Sequence, residues 1–149
     1  MLKISNYVLQ FHKALVAGNH FDFRIQYPDN KSKLMSWALP KGKVPKKIGE
    51  KYLAVRTPDH RKEWLSFSGK IAADEYGGGT VSISQSGVLK IEKWEEDKIV
   101  FVIVGDKMNG RFSLIKLKKS KTDQEEWLLI KVKDKLKEYF INQFMNRII

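Results

Sequence analysis

The sequence contains no cysteine, which excludes disulfide bridges and thiolate metal sites. It also lacks any apolar run approaching the roughly 18 residues of a membrane-spanning helix. The opening stretch MLKISNYVLQFH has no charged run followed by a long apolar segment, as an export signal would. From these absences we expect a cytoplasmic protein with no membrane partner.

Acidic residues are few. The chain has 17 of them against 28 lysines and arginines, which gives a net charge of +11. Such a surplus indicates a polyanionic partner, most simply nucleic acid. The alternative is a lysine-rich composition that only aids solubility, because the lysines cluster in 41–51 and 116–121, which resemble loops. A length of 149 residues predicts one domain with a core of its own.

Short segments of alternating polarity dominate the chain and predict about nine or ten strands. Turn signals recur about every 8 to 12 residues, a spacing typical of a mainly β fold, here a small closed or crescent β-barrel. Pro58 is expected to end the fourth strand, and Ser86-Gly87 to turn the chain between two others. The predicted strands are 4–12, 19–27, 33–39, 51–57, one within 63–71, 80–85, 88–94, 98–105, 111–118 and 126–133.

The last 15 residues follow a different pattern. Leu136, Phe140, Phe144 and Ile148 recur every four residues, which predicts an amphipathic C-terminal α-helix. We therefore divide the chain into a barrel domain, 1–134, and a helix, 135–149, packed on the barrel. A dimerisation helix is the alternative.

Residues 19–27, NHFDFRIQY, place three polar side chains on one strand face. His20, Asp22 and Arg24 occupy every second position, so they point the same way. We expect this face to point into the barrel, where a bound divalent ion and a phosphate would satisfy all three groups. The alternative is an exposed face on which Arg24 pairs with Asp22. His12 ends the strand expected beside this one, and two histidines with one carboxylate are a common divalent-metal set.

The third histidine, His60, follows a predicted strand end in TPDHRKEW. A loop histidine of this kind is often a solvated bystander. It is also suited to protonate a leaving oxygen or to stabilise charge on it.

Taken together, these motifs resemble the 3′-phosphoesterase domain of the bacterial and archaeal DNA ligase D family. The resemblance covers roughly residues 8 to 134 in the family's order. The most specific stretches are SWALPKG, EYGGGTV and WLLIK. The matching segments are LQFH (9–12), HFDFRI (20–25), SWALPKG (36–42), LAV (53–55), DH (59–60), EYGGGTV (75–81), GRFSLIK (110–116) and EWLLIK (126–131).

The resemblance implies a manganese-dependent enzyme, with Zn²⁺ or Co²⁺ as alternative ions. Such an enzyme trims a terminal ribonucleoside from the 3′ end of a primer–template, then removes the 3′-phosphate to leave a hydroxyl. His12, His20 and Asp22 match the family's metal ligands. Arg24 and Lys41 match phosphate-site residues, and His60 matches a second essential histidine.

The chain departs from the family pattern at several positions. Trp64 stands in place of a tyrosine, Pro58 in place of a glutamate and Tyr52 in place of an arginine, for which Arg56 is the candidate replacement at the phosphate. The family's N-terminal arm, which bears on ribonucleoside removal, has no counterpart before the first strand. We therefore expect phosphate removal more than ribonucleoside removal.

Two further functional hypotheses stay open. A stand-alone domain of this kind would work on DNA ends beside a separate DNA ligase. The main alternative is a non-catalytic basic β-barrel that binds DNA ends and recruits a ligase.

Overall fold

The computed structural model describes residues 3–133. They form nine β-strands and one short 3-10 helix, Lys62–Ser66. Within this range no helix has the length and apolar character needed to cross a bilayer. The strands are β1 (Lys3–Ala14), β2 (Gly18–Tyr27), β3 (Asn30–Leu39), β4 (Lys51–Arg61), β5 (Gly69–Ile71), β6 (Gly79–Trp94), β7 (Lys98–Ile103), β8 (Gly110–Lys116) and β9 (Glu126–Val132).

Eight of these strands form a closed ring. The order is β1-β2-β3-β4-β9-β8-β7-β6, and β1 closes the ring by pairing with β6 along its whole length. Neighbouring strands are antiparallel, and β5 adds to β6 outside the ring. The mainly β prediction is confirmed. The predicted helix at 135–149 lies outside the described residues.

The hydrophobic core fills the inside of the ring. Every ring strand contributes inward side chains, because alternate residues of a strand share a face. Large members such as Phe23, Trp37, Phe101, Phe112 and Trp127 are fully buried. Stacked and edge-on aromatic contacts join them, for example Phe23 to Phe101 with ring centroids 5.5 Å apart. The interior is thus a packed core with no room for substrate.

The polar face of β2 points out of the ring, against our prediction that it points inward. Asp22 and Arg24 alternate with Phe21 and Phe23, and it is the phenylalanines that join the core. Alternation fixes which residues share a face, and burial of the larger apolar area decides which face turns inward. The outer face of β1 and β2 is nevertheless buried, because the segment around the 3-10 helix covers it. The amide of Gln10 donates to the carbonyls of Trp64 and Phe67 at 2.9 and 3.0 Å.

The strand predicted within 63–71 is confirmed as β5, which follows the 3-10 helix. One predicted turn on this side of the molecule is wrong. Ser86-Gly87 is not a turn but lies inside the continuous strand β6. Pairing with β1 on both sides of Gly87 keeps the chain extended, and Gly87 adopts a φ of 150° opposite Tyr7.

Strand β4 runs through Pro58 instead of ending there. Thr57 pairs with Ser36 and His60 with Leu34, so Pro58 and Asp59 both lie opposite Met35 in a bulge. A proline has no N–H to donate, and a bulge leaves its position without a ladder partner. His60 consequently belongs to a strand, where the sequence had predicted a loop.

Closure of the ring depends on a close approach at Gly79. A Cβ on this residue would lie 2.0 Å from the carbonyl oxygen of Lys13, and its φ is +143°. Gly69 has the same φ, but its nearest neighbour, Phe67, is 4.0 Å away. We expect Gly69→Ala to lower the free energy of unfolding by about 1 kcal/mol and Gly79→Ala by at least about 3 kcal/mol, measured by urea denaturation. Equal losses of unfolding free energy in the two variants would show that the positive φ, and not the close contact with Lys13, determines the destabilisation.

Candidate metal and phosphate site

His12, His20 and Asp22 meet on the outer face of the β1–β2 hairpin. His12 is directly opposite His20, and Gln10 is opposite Asp22. His12 Nδ1 lies 3.3 Å from Asp22 Oδ2, and His20 Nε2 lies 3.3 Å from Asp22 Oδ1. One ligand atom from each residue falls within 4.8 Å of the others. The structure therefore brings the three predicted metal ligands together.

Backbone carbonyls set the orientation of both imidazoles. Nε2 of His12 is 2.7 Å from the carbonyl oxygen of Gly77, and Nδ1 of His20 is 3.0 Å from that of Gly18. A carbonyl oxygen can only accept, so these nitrogens carry the hydrogens. In the neutral rings the lone pairs then sit on the two nitrogens that face Asp22. Histidine ligands of metals are commonly held in this way.

This donor set fits a divalent cation. Two ligands of one ion with bonds of about 2.1 Å lie about 3.0–3.4 Å apart at ordinary bond angles. Both observed nitrogen–oxygen separations are 3.3 Å. Two imidazole nitrogens and one carboxylate suit Mn²⁺, Zn²⁺ or Co²⁺. Without a cation, an imidazole that carries a second proton can donate from the same nitrogen to the Asp22 carboxylate instead.

The carboxylate is strongly biased toward its charged form. Burial alone would raise the pKa of Asp22, but hydrogen bonds from His12 and His20 and the charge of Arg24 together hold it well below its usual range. The hydrogen bond to Asp22 raises the pKa of His20, against the opposing effect of burial. Asp22 thus stays ionised and offers a charged oxygen to a cation, while Arg24 balances part of its negative charge.

Arg24 forms a fixed positive group beside this cluster. Its side chain is 4% exposed, and its Nε donates to Oε1 of Gln10 at 2.9 Å. The guanidinium carbon lies 5.0 Å from the ring centroid of Trp64, and one terminal nitrogen lies 3.6 Å from Asp22. Burial lowers the pKa of Arg24 while Asp22 raises it, and a guanidinium stays charged through shifts of this kind. The result is a preorganised cation next to the metal ligands.

His60 approaches from β4 on the far side of Arg24. Its Nδ1 lies 2.8 Å from the carbonyl oxygen of Pro58, so that nitrogen carries the hydrogen and Nε2 the lone pair. Burial, with help from the charge of Arg24, lowers the pKa of His60. Its ring packs edge-on against Trp64 at 4.9 Å. His60 is therefore a neutral proton acceptor at neutral pH.

The structure does not bring Lys41 and Arg56 into the cluster in the same way. Lys41 is exposed in the turn after β3, at the end of the ring that carries His20. Arg56 lies on the inward face, where its guanidinium donates to Tyr27 at 3.0 Å and to Asp59 at 2.7 Å. Asp59 and Tyr27 thus occupy the Arg56 guanidinium, and its role at a phosphate stays a prediction.

Comparison with known proteins shows which family the chain belongs to. The model of the DNA ligase D 3′-phosphoesterase domain matches residues 10–116. The chain belongs to this family. The match includes His12, His20, Asp22, Arg24 and His60.

The curated proteins that are similar to this chain include several LigD proteins. The chain is 32% identical over 146 residues to the multifunctional non-homologous end joining DNA repair protein LigD of Mycobacterium tuberculosis H37Rv. It is 33% identical over 139 residues to LigD of Mycolicibacterium smegmatis, and 33% over 133 residues to LigD of Pseudomonas aeruginosa. These alignments cover 95%, 86% and 86% of the chain, but only 18%, 17% and 15% of the relatives. The phosphoesterase domain thus spans less than a fifth of their length.

Several contacts that shape this candidate site escaped the sequence reasoning, which had named Trp64 only as a departure from the family pattern. Gln10 holds Arg24, the Gly77 carbonyl holds His12, and Trp64 stacks on Arg24. Thr57 shares the outer face with Arg24 through Ser36, and its buried hydroxyl has no hydrogen-bond partner among the described residues. Only Gln10 had a usable signal, because it lies two positions before His12 and so shares its face.

Proposed function

We propose that the protein is a divalent-metal-dependent phosphoesterase that removes a phosphate from the 3′ end of a DNA strand. The observation that carries the proposal is the cluster of His12, His20 and Asp22 with the buried guanidinium of Arg24 beside it. Membership of the 3′-phosphoesterase family and the end-joining repair function named for the relatives support it. A DNA ligase is the proposed partner, since the reaction leaves a 3′-hydroxyl ready for joining.

His12, His20 and Asp22 would hold the ion, for which we propose Mn²⁺, with Zn²⁺ and Co²⁺ as alternatives. A bound ion would polarise a phosphoryl oxygen and lower the pKa of a water molecule. While Gln10 holds Nε, one terminal nitrogen of Arg24 lies 3.3 Å from His60 and the other 3.6 Å from Asp22, and both would turn to a bound phosphate. The guanidinium would stabilise the charge that grows on the phosphoryl group.

His60 and Thr57 complete the proposed site. Nε2 of His60 carries a lone pair in the neutral ring, so it can take a proton from a phosphate or a water and return it to the leaving oxygen. The unpartnered hydroxyl of Thr57 can donate to a phosphate oxygen. Lys41, exposed at the same end of the ring as His20, would attract the DNA backbone as a point charge.

The defining measurement is phosphate release from a primer–template with a 3′-phosphorylated primer. We expect release with Mn²⁺, loss of release in EDTA, and recovery when the ion is restored in excess. The same assay with a single 3′-terminal ribonucleotide tests ribonucleoside removal as a separate step. Release that persists in EDTA would contradict a metal-dependent mechanism.

The competing hypothesis is a basic module that binds DNA ends without chemistry. It predicts affinity that falls steeply with salt, is indifferent to the ion, and comes with no phosphate release. Phosphate release and fluorescence anisotropy measured on one protein preparation separate the two hypotheses. Binding without release in any of the three ions would favour the non-catalytic module.

A further inference from the structure

The tip of the β1–β2 hairpin, residues 15–17, is apolar and faces solvent. Leu15 is 68% exposed and Val16 is 99% exposed. A tight hairpin turn normally carries glycine, asparagine or aspartate, and large apolar side chains there bury nothing in the chain itself. Leu15 and Val16 are therefore available to contact another molecule.

The hairpin tip is held firmly in place. The backbone N–H of Leu15 donates to the carbonyl oxygen of Gly78 at 2.9 Å. Gly78 follows Gly77, whose carbonyl orients His12, and precedes Gly79, which packs on the backbone of Lys13. Backbone contacts thus link the hairpin tip directly to the glycine-rich segment and, through Gly77, to His12.

An exposed aromatic side chain lies on the same unit. Tyr76 is 85% exposed and comes directly before Gly77. An aromatic ring in the open can stack on a nucleic-acid base of any sequence. The hairpin tip and Tyr76 together give this end of the molecule apolar surface next to the metal ligands.

Distance and charge identify the partner. The pairs Lys13–Asn19 and Ala14–Gly18 separate the His12–His20 pair from the hairpin tip, which places the tip about 10 Å from the ligands. Stacked bases repeat about every 3.4 Å, so the tip lies within about three base steps of a phosphate held there. Lys13, Lys41 and Lys43 are exposed at this end, and none forms an ion pair within residues 3–133. Asp74 and Glu75 are exposed beside Tyr76, and the three lysines outnumber them. The apolar tip and this excess of positive charge fit the end of a DNA duplex.

We propose that the hairpin tip is a wedge that inserts into the base stack at the 3′ end of the primer strand. Leu15 and Val16 would separate the terminal base pair from its neighbour, and Tyr76 would stack on the freed base. Apolar side chains pry apart base steps in this manner in proteins that deform DNA. The inference rests on the proposed function for its choice of substrate, and it makes the wedge a positioning element that prepares a paired end for the metal site.

The test uses the double variant Leu15→Ser/Val16→Ser and a primer–template with 2-aminopurine next to the primer's 3′-phosphorylated nucleotide. In EDTA, where no turnover is expected, saturating wild-type protein should raise the 2-aminopurine fluorescence, because the base loses its stacking. The double variant should abolish most of that rise. In Mn²⁺, the ratio of phosphate release from duplex to release from single strand should fall about tenfold.

Val88→Ser is the matched control, because Val88 is also exposed, at 62%, but pairs with Asn6 in the middle of β1. A wild-type rise that the control keeps and the double variant loses supports the wedge. A rise that all three proteins share, or no rise at saturation, overturns it. If fluorescence responds as expected but no protein releases phosphate, the wedge stands and the phosphoesterase proposal fails.

Discussion

Asp22→Asn is expected to weaken Mn²⁺ binding by at least about 100-fold and to abolish phosphate release. Residues that only support a metal ligand typically contribute 10–100-fold to affinity, and a ligand contributes more. Asp22 is the single anion between His12 and His20, at 3.3 Å from each. An amide of the same shape supplies no charge and offers one oxygen in place of two. Titration calorimetry with Mn²⁺ measures the affinity directly, apart from any assay of activity.

Glu126→Gln provides the comparison. Glu126 is equally buried, at 8% exposure, but lies on β9, where it accepts from the backbone of Lys121. We expect Glu126→Gln to bind Mn²⁺ as the wild type does. An Asp22→Asn protein that keeps its Mn²⁺ affinity would show that the ion, if it binds, sits elsewhere.

Arg24→Lys is expected to lower kcat/KM for phosphate release by about 100- to 1,000-fold although it keeps the positive charge. Loss of one preorganised donor to a developing oxyanion has an effect of this size. The lysine has no Nε to donate to Gln10 and no planar surface to stack on Trp64. The lysine variant therefore loses both the two-pronged donor geometry of the guanidinium and the contacts with Gln10 and Trp64 that orient it. Steady-state kinetics on the phosphorylated primer measure the effect.

Arg56→Lys tests the same chemistry at the arginine that the sequence had also placed at the phosphate. Arg56 is paired with Asp59 and Tyr27 on the inward face of the ring. Burial and the hydrogen bond to Asp59 raise the pKa of Tyr27 to about 12, so the phenol stays neutral and bound to this pair. We expect little change in kcat/KM. A loss of kcat/KM as large as that of Arg24→Lys would show that Arg56 contacts the phosphate.

The sequence predicted that His12, His20 and Asp22 lie together, for a physical reason that transfers well to structures. Period-two alternation puts His20 and Asp22 on one face, and an antiparallel hairpin puts His12 opposite His20. Both inferences need only the alternation of side chains along a strand and the pairing of β1 with β2. The mainly β fold followed equally from alternation and turn spacing.

The features that the sequence could not predict are those that depend on which neighbouring strand or segment packs against a residue. Alternation does not say which face of β2 turns inward, and five large aromatic side chains in the ring decided it. Pro58 and Gly87 look like breaks until the neighbouring strand supplies a bulge or a partner on both sides. The contacts that hold Arg24, from Gln10 on β1 and from Trp64 after β4, join residues far apart along the chain.

Strand β1 is paired on both sides, with β2 and with β6, and it also carries His12. Separation of β1 from either neighbour would open the ring, and separation from β2 would also move His12 away from His20 and Asp22. A copy in which β1 and β2 have not paired would therefore lack the proposed metal site. Completion of folding would thus be a precondition for the proposed phosphate removal.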